Sequence, residues 1–298
     1  MYDIERIHLA TSVQDALAAL AADPKAVVIC GGSDVLIKVR GGKLAGCSLV
    51  SIHGLPELTG VAMEQGGEED GTIVIGPATT FSQVTNHPII VKHIPALGEA
   101  ADQAGGPQLR NIGTIGGNIC NGATSADSAP TLLTLNAMLT VTGPEGTREA
   151  AMESFYEGPG RVRLAHGELL TAIRIRRRDY EGFGGHYIKY AQREAMDIAT
   201  LGCAVHVKLS GDKRVIEEYR LAFGVAAPTP VRCRGAEARA VGQPVTRALL
   251  EKIGVWAADE VSPRTSWRAS REFRLQLVKT LSGRATEKAI KNAGGMAL

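Results

Sequence analysis

The chain has 298 residues, 44% of them hydrophobic and 21% charged, with a formal net charge of +2. That length holds two or three domains, and so weak a charge argues against nucleic acid or an anionic membrane as the main partner. No apolar run approaches the roughly 20 residues that span a bilayer. The start, MYDIERIHLATSVQD, lacks a basic region followed by an apolar stretch, so no secretory signal is read and the expected compartment is the cytoplasm.

Residues 11–22, TSVQDALAALAA, predict a helix: Ser12 and Asp15 make a capping-box pattern, and Ala16, Leu17, Ala19 and Leu20 form its apolar face. Asp23-Pro24 stops it. KAVVIC then reads as a short buried strand running into GGSDVLIKVR, and residues 49–53 as a second strand, a β/α opening. LTGVAMEQGGEEDGTIVIG predicts two strands about an acidic turn. TTFSQVTN predicts a helix capped by Thr80, and residues 90–105 one helical segment despite Pro95. SADSAPTLLTLNA reads as a helix start capped by Ser125 or Asp127. A hairpin follows around residues 143–146, then a strand closing near 176. RRRDYEGFGG, 176–185, suits a linker or a mobile loop. Beyond it, strands at 186–191, 201–209 and 218–225 precede helices at 234–241, 246–260 and 270–291, an α+β order.

Glycine is the compositional outlier, with 35 residues against a usual share of about 7%. No GxGxxG and no GxxxxGK[ST] occurs, so neither a Rossmann fingerprint nor a P-loop is supported. Two glycine segments remain: CGGSD, 30–34, directly after a strand, and TIGGN, 114–118. Successive main-chain N–H groups in a tight turn can hold a diphosphate, and side chains there would block it. Gly31, Gly32, Gly116 and Gly117 fit that need, with Ser33, Asn118 and Asn121 as added donors; plain tight turns fit the spacing too. Asp34 and Asp127 beside these segments suit ribose hydroxyls or, equally, helix N-caps. KYAQREAMDIAT places Lys189, Arg193, Glu194 and Asp197 together, either a solvated face or a cation near a flavin.

The five cysteines form no CxxC pair, which argues against zinc, iron–sulfur ligation and a disulfide framework alike. The histidines show no HxxxH or HExxH spacing and no GxSxG elbow occurs.

GGSDVLIKVRGG, RNIGTIGGNICNGATSADSAP, IKYAQREAMDIATLGCA, LAFGVAAPTPVR and SWRASREFRLQLV occur in that order. Together they resemble the FAD-binding medium subunits of molybdenum hydroxylases, most nearly those of bacterial xanthine dehydrogenases. The resemblance runs over essentially the whole chain. It implies an α+β fold: a vanillyl-alcohol-oxidase-type FAD-binding domain at 1–176, in subdomains of about 1–56 and 57–176, and a C-terminal α+β domain at 185–298 like that of the CO dehydrogenase flavoprotein.

By the same resemblance the cofactor is FAD. Val28, Ile29, Cys30, Gly31, Gly32, Ser33, Asp34 and Val35 fall on a first phosphate loop, and Thr114, Gly116, Gly117, Asn118 and Asn121 on a second. Ala126 and Asp127 fall by the cofactor's sugar region, and Leu170 and Lys189 near the flavin ring. Cys30 and Gly113 stand where the family often has alanine. The implied role is an electron relay. A molybdenum-cofactor subunit hydroxylates a purine, an iron–sulfur subunit carries electrons to FAD here, and NAD+ accepts them. A sister hydroxylase acting on carbon monoxide, nicotinate, an aldehyde or an aromatic-CoA substrate, and a stand-alone flavin oxidase, are the alternatives.

Overall fold

The computed structural model describes residues 2–296. Its first layer is a three-stranded parallel sheet. Strand β1 (Ile4–Leu9) leads through α1 (Val13–Ala22) to β2 (Ala26–Ile29), and α2 (Val35–Arg40) leads to β3 (Cys47–Ser51), in the order β1-β3-β2. Parallel neighbours need crossovers, which α1 and α2 supply. The Ser12 hydroxyl starts α1 by accepting the Asp15 N–H, and the helix buries Ala16, Leu17 and Leu20. Strand β1 was not expected from the sequence; it is an edge strand whose side chains are mostly exposed, so it carries no apolar alternation.

The second layer is an antiparallel sheet of β4 (Val61–Met63), β5 (Ile73–Ile75), β6 (Met138–Gly143), β7 (Gly146–Ala151) and β10 (Leu169–Ile175), in the order β4-β5-β10-β6-β7. Between β5 and β6 run α3 (Phe81–Asn86), α4 (Pro88–His93), α5 (Pro95–Asp102), α6 (Pro107–Ile112), α7 (Ile115–Cys120) and α8 (Ser128–Thr134). Between β7 and β10 lie α9 (Met152–Phe155) and the short pair β8 (Tyr156–Gly158) and β9 (Arg161–Val162). Ile73, Ile75, Leu139, Val141, Ile173 and Ile175 bury completely in this layer's core. Residues 90–105 are two helices rather than one. Pro95 opens α5, because a first-turn residue loses nothing by lacking an N–H.

The third layer is the antiparallel sheet β11 (Phe183–Tyr190), β12 (Leu201–Leu209), β13 (Ile216–Gly224) and β14 (Val231–Arg232), in that order. Three helices follow: α10 (Arg234–Ala240), α11 (Arg247–Ala258) and α12 (Arg271–Asn292). Helix α12 packs against β11 and β12, while α8 reaches β12 and β13. Strand β12 is buried along nearly its whole length, which suits a central strand covered on both faces. No helix among the described residues is long and apolar enough to cross a membrane.

Residues 176–185 are not a mobile loop. Asp179 and Tyr180 are buried, the Tyr180 hydroxyl donates to the Gly71 carbonyl at 2.6 Å, and Asp179 meets Arg220 at 3.2 Å. The polarity that suggested a linker serves a buried network instead. Arg220 donates to the carbonyls of Thr134 and Asp179, and Arg232 to that of Leu133. The two guanidiniums thus satisfy carbonyls at the C-terminal end of α8, where a helix leaves acceptors unpaired.

His206 lies in the same network, its Nδ1 2.9 Å from the Thr134 hydroxyl. Burial, reinforced by Arg220 and Arg232, pushes this imidazole down to about 3. Below the ordinary histidine range of about 6.5 the unfolded chain binds a proton that the folded chain refuses. Stability from this group is therefore present above about pH 6.5 and falls by up to ~1.4 kcal/mol per unit as the pH drops toward about 3. Urea titrations across that window are expected to show the slope, and a shallower one in His206→Gln.

Candidate functional site

A cavity of about 760 Å³ opens where the first two layers meet and the loop after β11 folds over. That volume suits a cofactor-sized ligand. Residues 30–35 form one wall and residues 113–121 another; residues 104–106, Asp127, residues 164–170 and residues 196–198 also line it.

The first wall begins at the C-terminal end of β2. Gly31 is dictated by the protein itself: a Cβ there would lie inside the contact distance of the Ile112 carbonyl. Gly32 has φ +73°, a left-handed conformation that disfavours a side chain. The chain turns sharply here, and the main-chain N–H groups of Gly32, Ser33, Asp34 and Val35 meet no acceptor among the described residues. Four successive donors left unpaired on a cavity wall are what an anionic oxygen-rich group needs.

The second wall differs from the sequence expectation. TIGGN is not a loop but the start of α7, with Thr114 as N-cap. Its amides are already used. Ile115 donates to the Thr79 carbonyl, Gly116 to that of Pro77, Gly117 to the Thr114 hydroxyl at 3.2 Å, and Asn118 to the Thr114 carbonyl. The main-chain cradle expected at 114–118 is therefore corrected: this wall offers side chains. The Asn118 carbonyl oxygen accepts from the Ser128 hydroxyl at 2.7 Å, and that of Asn121 accepts from Lys38 at 2.6 Å. Each contact turns the amide NH₂ group the other way, and neither NH₂ meets an acceptor among the described residues. Lys38, on α2, brings the only ammonium among the cavity-lining residues. The sequence reading missed it, although it lies within the GGSDVLIKVR segment already singled out.

Of the remaining expected contacts, Val28, Cys30 and Leu170 line the cavity. Ile29, Ala126 and Lys189 do not. Strand alternation turns Ile29 into the small core beneath the sheet, and Ala126 is packed into the central core. Lys189 stops short, donating to Asp127 at 2.9 Å and to the Gln103 carbonyl at 2.8 Å. Asp34 and Asp127 occupy N-cap positions, yet neither side chain makes a capping bond. Burial pushes the Cys120 thiol up to about 12 and also raises that of Cys30, so neither is a ready nucleophile. In the 190–200 loop, Asp197 accepts main-chain N–H groups from Gln192, Arg193 and Ile198 and meets Arg268 at 3.2 Å. Its role is to fix that loop. No group of three or more His, Cys, Asp or Glu side chains fit to hold a metal occurs among the described residues.

Main-chain amides without acceptors among the described residues, two carboxamides and a lysine lining one cavity define a protein that holds an extended anionic cofactor. The chain belongs to the FAD-binding flavoproteins of molybdenum hydroxylases. Residues 3–176 match the family described as FAD binding domain in molybdopterin dehydrogenase, and residues 186–289 match the CO dehydrogenase flavoprotein C-terminal domain. It is 45% identical over 295 residues to a xanthine dehydrogenase FAD-binding subunit of Escherichia coli O157:H7, covering 99% of each chain. It is 32% identical over 232 residues to the nicotinate dehydrogenase FAD-subunit of Eubacterium barkeri, covering 77% of this chain and 76% of that one. The carbon monoxide dehydrogenase structure from Hydrogenophaga pseudoflava superposes with a TM-score of 0.91 at 28% identity, over 98% of this chain and 99% of that chain. FAD is the cofactor of this family.

The two glycines of α7 separate by role. A Cβ on Gly116 would meet the Pro77 carbonyl at 2.6 Å, whereas one on Gly117 meets only the Thr114 hydroxyl, at 2.9 Å. Gly117→Val is expected to weaken FAD binding by about tenfold or more while the thermal midpoint stays near that of the parent. Gly116→Val is expected to cost about 1–3 kcal/mol of stability through overpacking. Flavin titration and thermal melts of both variants check the contrast.

Proposed function

We propose that this chain is the FAD-binding electron-transfer subunit of a xanthine dehydrogenase-type molybdenum hydroxylase, passing electrons from the iron–sulfur clusters of a partner subunit through FAD to NAD+. The observation that carries the reading is that the N–H groups at 32–35, without acceptors among the described residues, line the same cavity as the Asn118 and Asn121 carboxamides and Lys38. The full-length similarity to a xanthine dehydrogenase FAD-binding subunit supports the choice of enzyme.

In this reading Gly32, Ser33, Asp34 and Val35 donate main-chain hydrogen bonds to the diphosphate. Asn118 and Asn121 add side-chain donors, and Lys38 adds positive charge. Asp127 accepts from a cofactor hydroxyl, and Leu170 presents an apolar wall to the flavin ring. FAD, when bound, supplies the two-electron redox chemistry; the protein binds, orients and shields it. The molybdenum centre and the clusters belong to partner subunits.

The test is direct. The purified chain is expected to be yellow, to release FAD on denaturation, and to bleach with NADH in the absence of oxygen. A flavin-loaded chain that NADH leaves yellow removes NAD+ as acceptor, and a chain that takes up no FAD removes the flavoprotein role itself. Co-purification with its partners, followed by a substrate panel, identifies the hydroxylated compound.

A further inference from the structure

The residue that reaches the cavity from behind is Asp127. Its two oxygens are held separately: Oδ1 accepts from the Tyr187 hydroxyl at 3.0 Å, and Oδ2 from the Lys189 ammonium at 2.9 Å. Tyr187 and Lys189 stand two residues apart on β11, so both side chains leave the same face of the strand. All three groups are buried, Tyr187 being 2% exposed and the Asp127 and Lys189 side chains 9% and 7%. Lys189 also donates to the Gln103 carbonyl, just before the Ala104–Gly106 part of the wall.

The surroundings are cut to this arrangement. On β12, opposite Lys189, stands Gly202; a Cβ there would lie 2.8 Å from the Tyr187 hydroxyl. Glu99 in the middle of α5 accepts the Tyr187 N–H at 3.1 Å and contacts His186 at 2.8 Å, pinning β11 beside the cavity. Asp127 forgoes the capping bond its position on α8 would allow. A buried ion pair gains little stability over apolar packing, and a lost cap costs about 1 kcal/mol. The cluster is therefore poorly explained as a stability device.

We propose that Tyr187 and Lys189 are positioning residues for FAD binding, a two-point clamp that holds the Asp127 carboxylate as an oriented, ionised acceptor on the cavity wall. The clamp rests on the flavoprotein reading above and extends it, since the third layer of the fold then sets the hydrogen-bonding state of a cavity built by the first two. Burial pushes the Asp127 carboxyl above the ordinary carboxylate range, and Lys189 and Tyr187 limit that rise. Those two are the titratable groups that act on Asp127 among the described residues, with Cys203 of β12 behind Tyr187; α7 presents the neutral Asn118 to the start of α8. Burial and the neighbouring carboxylate keep the Tyr187 hydroxyl protonated, hence a donor.

The experiment uses the full chain stripped of flavin. FAD affinity is titrated between about pH 5.5 and about pH 8.5, a window in which an ordinary carboxylate stays ionised. The Asp127 carboxyl carbon is followed by NMR without cofactor. The parent is expected to bind with nearly constant affinity and to keep Asp127 ionised. Lys189→Met is expected to let Asp127 protonate as the pH falls, with FAD affinity dropping in step. Lys189→Arg restores the flat profile. Tyr187→Phe weakens binding by about five- to tenfold through one lost hydrogen bond. Asp127→Asn loses affinity equally at every pH, and adding Lys189→Met to it creates no pH dependence. Flat, parent-like profiles in Lys189→Met, or unchanged affinity in Tyr187→Phe, overturn the clamp while leaving the flavoprotein reading intact. A parent chain that refuses FAD at every pH overturns that reading first, and the clamp with it.

Discussion

Gly31→Ala is expected to empty the flavin site. The added methyl collides with the Ile112 carbonyl, which cannot retreat freely: the adjoining Gly113 donates to the Leu109 carbonyl at 2.6 Å and accepts from Phe81 at 3.0 Å. The 30–34 turn must move away from the wall, and its unpaired N–H groups move with it. Losing two charge-assisted hydrogen bonds is worth about 3–6 kcal/mol, so the dissociation constant for FAD is expected to rise by about 100-fold or more. Overpacking adds a stability loss of about 1–3 kcal/mol. Flavin content after purification and titration of the stripped chain read the first effect, and urea unfolding reads the second. A variant with parental flavin content would mean that the 30–34 turn does not hold the cofactor.

The largest expected stability effect is elsewhere. The Arg232 guanidinium meets both carboxylate oxygens of Glu237 at 2.8 Å, with the two side chains 2% and 8% exposed, and also donates to the Leu133 carbonyl at 3.1 Å. Arg232→Met strips the buried Glu237 carboxylate of its bidentate partner, leaving it the Leu221 N–H and the half-exposed Arg234 guanidinium at 3.5 Å. Removing one member of such a pair costs about 3–5 kcal/mol. Glu237→Met combined with Arg232→Met is expected to be less destabilising than the sum of the single changes, since the orphaned charge is gone. Denaturant unfolding of the four species measures this coupling. FAD affinity in the folded fraction is expected to fall as well, because α8, which begins beside Asp127, ends at this network.

Periodicity and caps were enough to place most elements. Ser12 and Thr80 act as caps where the sequence put them, and β12 of the third layer opens on an apolar run, Leu201–Val205. Elements whose signal is cooperative were not legible. Strand β1 exists because β3 offers it a free edge, not because its side chains alternate. The 176–185 segment is charged like a linker, and partners distant in the chain, Gly71, Asn136 and Arg220, make it buried structure.

For the site, local composition was enough to say which residues gather: CGGSD and TIGGN both reach one cavity because bare backbone and short polar side chains leave room there. Which atoms remain free to act was settled by long-range packing. A hydrogen-bond donor is available to a ligand only if the fold has not already spent it. Thr79, Pro77 and Thr114 take the amides of TIGGN, while no acceptor among the described residues takes those of residues 32–35. Lys189 meets Asp127 across more than sixty positions of chain. Local sequence carries propensity and shape; it does not carry the identity of a partner that folding brings from far away.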